Sequence, residues 1–105
     1  MDKYIVVFIT ASKEDEAKKI AEELLGKKLV ACVNILPKIS SFFWWQGKID
    51  FAEEVLLILK TKESLLNKII KTTKKLHSYE VPEIIALPII GGNEDYLKWI
   101  KESVI

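Results

Sequence analysis

Three segments of this chain, residues 4–9 (YIVVFI), 55–59 (VLLIL) and 84–90 (IIALPII), are apolar at successive positions. Neighbouring side chains of a strand point to opposite faces, so each of these strands presents two apolar faces. A sheet with one face in water alternates instead. Whatever this chain folds into must cover its sheet on both sides.

The intervening segments have helical spacing. After the first strand, Ser12-Lys13-Glu14-Asp15 resembles a capping box whose hydroxyl takes an orphan N–H of the next turn. Glu14, Asp15 and Glu16 put negative charge at the positive end of the helix dipole. Ala17, Ile20, Ala21, Leu24 and Leu25 follow on one stripe, and Gly26 is the expected stop. Residues 29–36 predict a second strand ended by Pro37, which has no N–H for a ladder. The aromatic stretch SSFFWWQGKID turns at Gln46-Gly47-Lys48, and residues 55–60 return as a third strand, which makes a long central hairpin. Leu65, Leu66, Ile69, Ile70, Thr73 and Leu76 mark a second helix, and residues 84–90 a fourth strand interrupted by Pro88. Asn93 caps a short last helix with Leu97, Ile100 and Val104 on one side.

The order is β-α-β-β-α-β plus a terminal helix. It predicts an α+β, ferredoxin-like βαββαβ sandwich, one domain over residues 1–105, with both helices on one face of an antiparallel sheet. The terminal helix is too small to cover the other face. A second subunit is the expected cover, since exposed apolar patches of that size mark interfaces.

Charge narrows the function. Among 105 residues, 16 basic and 15 acidic groups leave a formal net charge of +1, which removes the electrostatic case for a nucleic-acid or membrane-surface protein. Every basic residue is lysine, so the planar bidentate clamp of arginine on phosphate or carboxylate is excluded. One cysteine, Cys32, forms no intrachain disulfide. The apolar N-terminal run is too short to span a bilayer and carries no signal-peptide pattern, so a cytoplasmic protein is expected.

Few side chains carry chemistry. Phe42, Phe43, Trp44 and Trp45 cannot all enter one small core. Without a basic stripe or an RNA-recognition motif, packing at an interface is the expected use, ahead of base stacking. His77, the only histidine, ends the second helix, where it suits a metal ligand, an acid–base group or a dipole-stabilised helix end. Cys32 within the second strand is a thiolate candidate for soft copper or a small buried apolar residue. Glu54, Glu80 and Glu83 are candidate carboxylate ligands or surface charges. The turn at Gly91-Gly92-Asn93 lacks any phosphate-loop pattern, and no catalytic dyad or triad has supporting spacing. No enzyme is expected.

Five segments together resemble the CutA divalent-ion-tolerance family: LVACVNI (29–35), FFWWQGKI (42–49), EVLLILKT (54–61), HSYEVPEIIALPI (77–89) and GNEDYLKWI (92–100). Their order and spacing extend the resemblance over nearly the whole chain. It implies a tight homotrimer whose sheet edges and hairpins continue across subunits, and a likeness to the trimeric PII signalling proteins. It also implies tolerance to copper and other divalent cations, with copper(II) binding. The family's HPYE segment falls on His77, Ser78, Tyr79 and Glu80, its Ala-Cys pair on Ala31 and Cys32, and its strand-opening glutamate on Glu54. Ser78 replaces the usual proline, Phe43 a frequent tyrosine, and the first strand has Phe8 and Ile9 where some members carry a second cysteine.

The expected function is a homotrimeric, non-catalytic divalent-cation tolerance protein. Its metal donors are His77, Cys32, Glu54 and Tyr79, at clefts between subunits. Copper(II) or a similar divalent metal ion is the partner, none is needed for folding, and neither nucleic acid nor membrane is expected. The alternative is a PII-like small-ligand sensor, or a protein-interaction scaffold.

Overall fold

A computed structural model of the chain describes residues 3–105. The elements follow the expected order: β1 (Tyr4–Ala11), α1 (Glu14–Gly26), β2 (Cys32–Trp45), β3 (Lys48–Lys62), α2 (Leu66–Leu76, preceded by a 3-10 turn over Glu63–Leu65), β4 (Ile84–Pro88) and α3 (Glu94–Ser103). The strands form one antiparallel sheet in the order β2-β3-β1-β4, so the crossover through α1 leaves between β1 and β2 the place that β3 fills, and the crossover through α2 passes over β1.

Parity decides which face each residue takes. Ile5, Val7, Ile9 and Ala11 of β1 and Val55, Leu57 and Leu59 of β3 are buried under Ala17, Ile20 and Leu24 of α1 and Ile69 of α2. Truncating a side chain such as Leu57 to alanine costs about 2–5 kcal/mol in a core of this kind. The alternate residues line the second face. There Ile85 and Leu87 are about half exposed, beside half-buried Val6, Phe8, Leu56 and Ile58. Val33 and Ile35 pack on the helical core, so Cys32, Asn34 and Leu36 belong to the second face. The α3 helix contacts β3 and brings Tyr96 to Cys32, covering only that corner of it. The two-faced apolar strands are thus present, and the second face stays largely open in a single chain.

Four local expectations differ from the structure in whole or in part. Pro37 does not end β2: the ladder shifts register between Leu36 and Ile39, Lys38 adopts φ 60°, and pairing resumes to Trp45 against Lys48. A bulge absorbs the missing proline N–H at a sheet edge. α1 does end at Gly26, but the left-handed residue of its cap is Lys28; Lys28 N–H bonds the Leu25 carbonyl and Leu29 N–H the Leu24 carbonyl, a Schellman motif. Ser12 sits before the N-cap, Lys13, and its hydroxyl donates to Glu16 rather than accepting from the helix. Finally, β4 stops at Pro88, although the Ile89 N–H still reaches the Tyr4 carbonyl at 2.9 Å.

The hairpin turn falls where expected. Gln46 and Gly47 both have positive φ, 49° and 78°, as a two-residue turn with the twist of its strands requires. Beyond the bulge the β2–β3 arm leaves the core, with Phe42, Trp44, Trp45, Ile49 and Phe51 exposed. The arm stretches the molecule to 44 × 26 × 22 Å. Its radius of gyration, 14.3 Å, exceeds the roughly 13 Å of a compact chain this long.

Candidate functional site

Where the arm meets the sheet, the segment after α2 folds back over β1 and β3. His77 caps α2 with extended backbone (ψ 138°) and turns its ring inward, where the side chain is fully buried. The backbone N–H of Tyr79 donates to Nδ1 at 3.0 Å, and Nε2 lies 2.6 Å from the Thr10 carbonyl. That pattern assigns the Nε2–H tautomer, with Nε2 donating to Thr10. Both nitrogens are engaged within the fold, so a metal ion meets no free lone pair on His77 while the Tyr79 contact holds. The Tyr79 ring lies 4.9 Å from the imidazole, centroid to centroid, and its hydroxyl donates to Glu54 Oε2 at 2.8 Å.

Glu16, on the first turn of α1, locks the same segment from the other side. Its Oε1 accepts from the N–H and the hydroxyl of Ser12, at 2.9 and 3.0 Å. Its Oε2 accepts from the Ser78 N–H at 2.6 Å. Burial pushes the Glu16 carboxyl up, but hydrogen bonds from Ser78 and Ser12 outweigh it and hold it down at about 2. Tyr79 moves the other way: burial first, then the hydrogen bond and charge of Glu54 and the charge of Glu16, push it up to about 12. Sequence spacing did not single out Glu16 from Glu14 and Asp15. The Ser12-x-x-x-Glu16 step carried the local half of its role, and the Ser78 partner is 62 residues away.

This scaffold walls a cleft of about 830 Å³. Asp50, Glu54, Glu80 and Glu83 line it with carboxylates, and no lysine stands among the lining residues. Phe42, Phe43, Trp45 and Tyr79 form aromatic walls. Three of these carboxylates were legible as candidates; Asp50, hidden in the hairpin, was not.

Of the four expected metal donors, the structure brings Glu54, Tyr79 and His77 together, the last through Tyr79. Cys32 lies apart, on the second face near α3. The Lys60 ammonium approaches its sulfur at 3.9 Å and also bonds the Asn34 side chain. Burial and then the Cys32 thiol raise the Tyr96 hydroxyl. Among the described residues, no three His, Cys, Asp or Glu side chains converge to hold a metal ion. A resident metal centre built by one chain does not fit this donor set.

The fold and the cleft define a class: a small α+β domain with an acidic, aromatic-walled cleft and an exposed apolar arm. The CutA1 divalent ion tolerance protein family model matches residues 5–103, and the chain belongs to that family. It is 50% identical over 99 residues to "Protein CutA 1, chloroplastic" of Oryza sativa, covering 94% of this chain and 56% of that protein. It is 48% identical over 98 residues to the divalent-cation tolerance protein CutA of Archaeoglobus fulgidus, covering 93% and 95%. The chain therefore spans about half the length of its curated plant relatives and nearly all of the archaeal one. The crystal structure of rice CutA1 superposes with a TM-score of 0.96 at 48% identity, covering 98% of this chain and 94% of that one. The Thermus thermophilus protein gives 0.93 at 43%, covering 99% of each. The plant relatives are named chloroplastic and the archaeal structure is described as periplasmic. No helix among the described residues is long and apolar enough to cross a membrane.

Proposed function

We propose that this chain works as a homotrimeric, non-catalytic divalent-cation tolerance protein that binds copper(II), or a similar divalent metal ion, as cargo. The observation that carries the reading is the cleft lined by Asp50, Glu54, Glu80 and Glu83 and by no lysine. Uncompensated carboxylates attract cations, and copper heads the affinity order of the divalent first-row metals. Glu54 is the deep donor, oriented by Tyr79, and His77 holds Tyr79 from behind. A single chain supplies too few converging donors, so a neighbouring subunit completes the set. The exposed arm and the open second sheet face favour that assembly. Cys32 is a separate donor to test. Cytoplasmic residence belongs to the same reading.

A second reading, a PII-like ligand-sensing trimer, is favoured by the size and aromatic walls of the cleft. Light scattering and copper(II) calorimetry with competing glycine test the first. The expected result is a particle of three times the subunit mass that binds copper at a fixed ratio per subunit. Glu54→Gln weakens that binding, and His77→Ala and Cys32→Ala report whether either donor takes part. A stable monomer, or copper binding abolished by glycine, contradicts it.

A further inference from the structure

The cleft is far larger than a metal ion needs. Its volume, about 830 Å³, falls within the roughly 300–1,000 Å³ of small-molecule sites. Its lining has two chemistries that a metal ion would not use together. Glu54 is only 7% exposed, and the hydrogen bond it accepts from the Tyr79 hydroxyl comes from a neutral donor. A carboxylate this buried without a cation is costly, and no lysine of the cleft wall supplies one. Asp50, Glu80 and Glu83 are exposed and line the same cleft. Phe42, Phe43 and Trp45 supply apolar, π-rich surface that attracts ammonium groups and covers methylenes. An anionic ligand meets carboxylates and no compensating charge.

We propose that the cleft binds a linear aliphatic polyamine. One ammonium group sits on Glu54, others on Asp50, Glu80 or Glu83, and the methylene stem lies against the aromatic walls. The proposal rests on the ligand-sensing reading above and gives that reading its ligand class.

Spermidine is the probe, titrated by calorimetry into the full-length protein at physiological ionic strength, with magnesium chloride of equal charge as the control. Saturable binding, one site per subunit, is expected. Glu54→Gln weakens it about tenfold or more, as loss of a buried charge pair does. Glu83→Gln, an exposed position, weakens it about threefold with an unchanged melting temperature, which keeps the test valid if the Glu54 variant folds poorly. Heat that does not saturate, that magnesium reproduces, or that ignores both substitutions overturns the proposal. So does a crystal structure of the oligomer with a neighbouring copy's side chains filling the cleft. ATP binding that depends on Glu54, with none of spermidine, overturns the polyamine class and leaves ligand sensing standing. Silence towards both probes overturns the two together.

Discussion

The Tyr79 hydroxyl donates a 2.8 Å hydrogen bond to Oε2 of Glu54, joining the segment after α2 to the strand beneath it. This single contact orients the one deeply buried carboxylate of the cleft. It also ties the cleft to His77, whose Nδ1 accepts the Tyr79 N–H.

Tyr79→Phe removes the only donor of that contact and is expected to cost about 1–3 kcal/mol, because the Glu54 carboxylate stays buried. The loss has a pH signature. The folded protein raises the tyrosine from 10.0 to about 12, so its contribution is complete below pH 10 and is lost as the pH climbs towards 12. The gap between the urea midpoints of wild type and Tyr79→Phe should narrow from about pH 8 to about pH 11, by roughly half. A constant difference between them would contradict the assigned role.

Glu16 gives the opposite sign. Its carboxyl falls from an ordinary 4.5 to about 2, so its contribution is complete above pH 4.5 and is lost as the pH falls towards 2. The side chain is mostly buried, and the shift corresponds to at most about 3 kcal/mol. Glu16→Gln should lower stability at neutral pH and flatten the acid limb of the stability profile. Acid titration of denaturation midpoints checks this; an unchanged acid limb in the variant would count against the Ser12–Glu16–Ser78 lock.

His77 should appear as the Nε2–H tautomer in nitrogen-15 NMR of the metal-free protein. Replacing it with alanine leaves the Thr10 carbonyl and the Tyr79 N–H without their partner and should cost about 2 kcal/mol or more. An Nδ1–H signal would mean that the ring is turned and that the Tyr79 contact is absent.

The contrast between strands and site shows what a sequence carries. Strand runs such as YIVVFI announce themselves because β-branched and aromatic residues repeat without a break. The turn at Gln46 and Gly47 is equally local. Pro37 misleads because a one-residue rule, no N–H and so no ladder, is overridden by a bulge whose extra freedom comes from Lys38. His77 is harder still. Its identity suggests a ligand, while its partner is a carbonyl 67 residues away that has no signature of its own. Glu54, Glu80 and Glu83 were readable one at a time as acids. Their common cleft, and Asp50 in it, exists only once the segment after α2 folds back to the base of the arm.

Folding is expected to need no metal. The aliphatic core beneath α1 and α2 is closed within the chain, unlike small domains whose unfolded apo state requires an ion. Chelation with EDTA should leave the melting temperature unchanged within error. A large downward shift would place a metal in the fold itself.

The most direct test of cation capture is anomalous X-ray scattering at the copper edge, from crystals of the protein grown with substoichiometric copper(II). The predicted result is a peak inside the cleft, within bonding distance of the Glu54 carboxylate and absent in Glu54→Gln crystals. A peak confined to Cys32, to the chain's amino terminus or to scattered surface carboxylates would contradict the assignment.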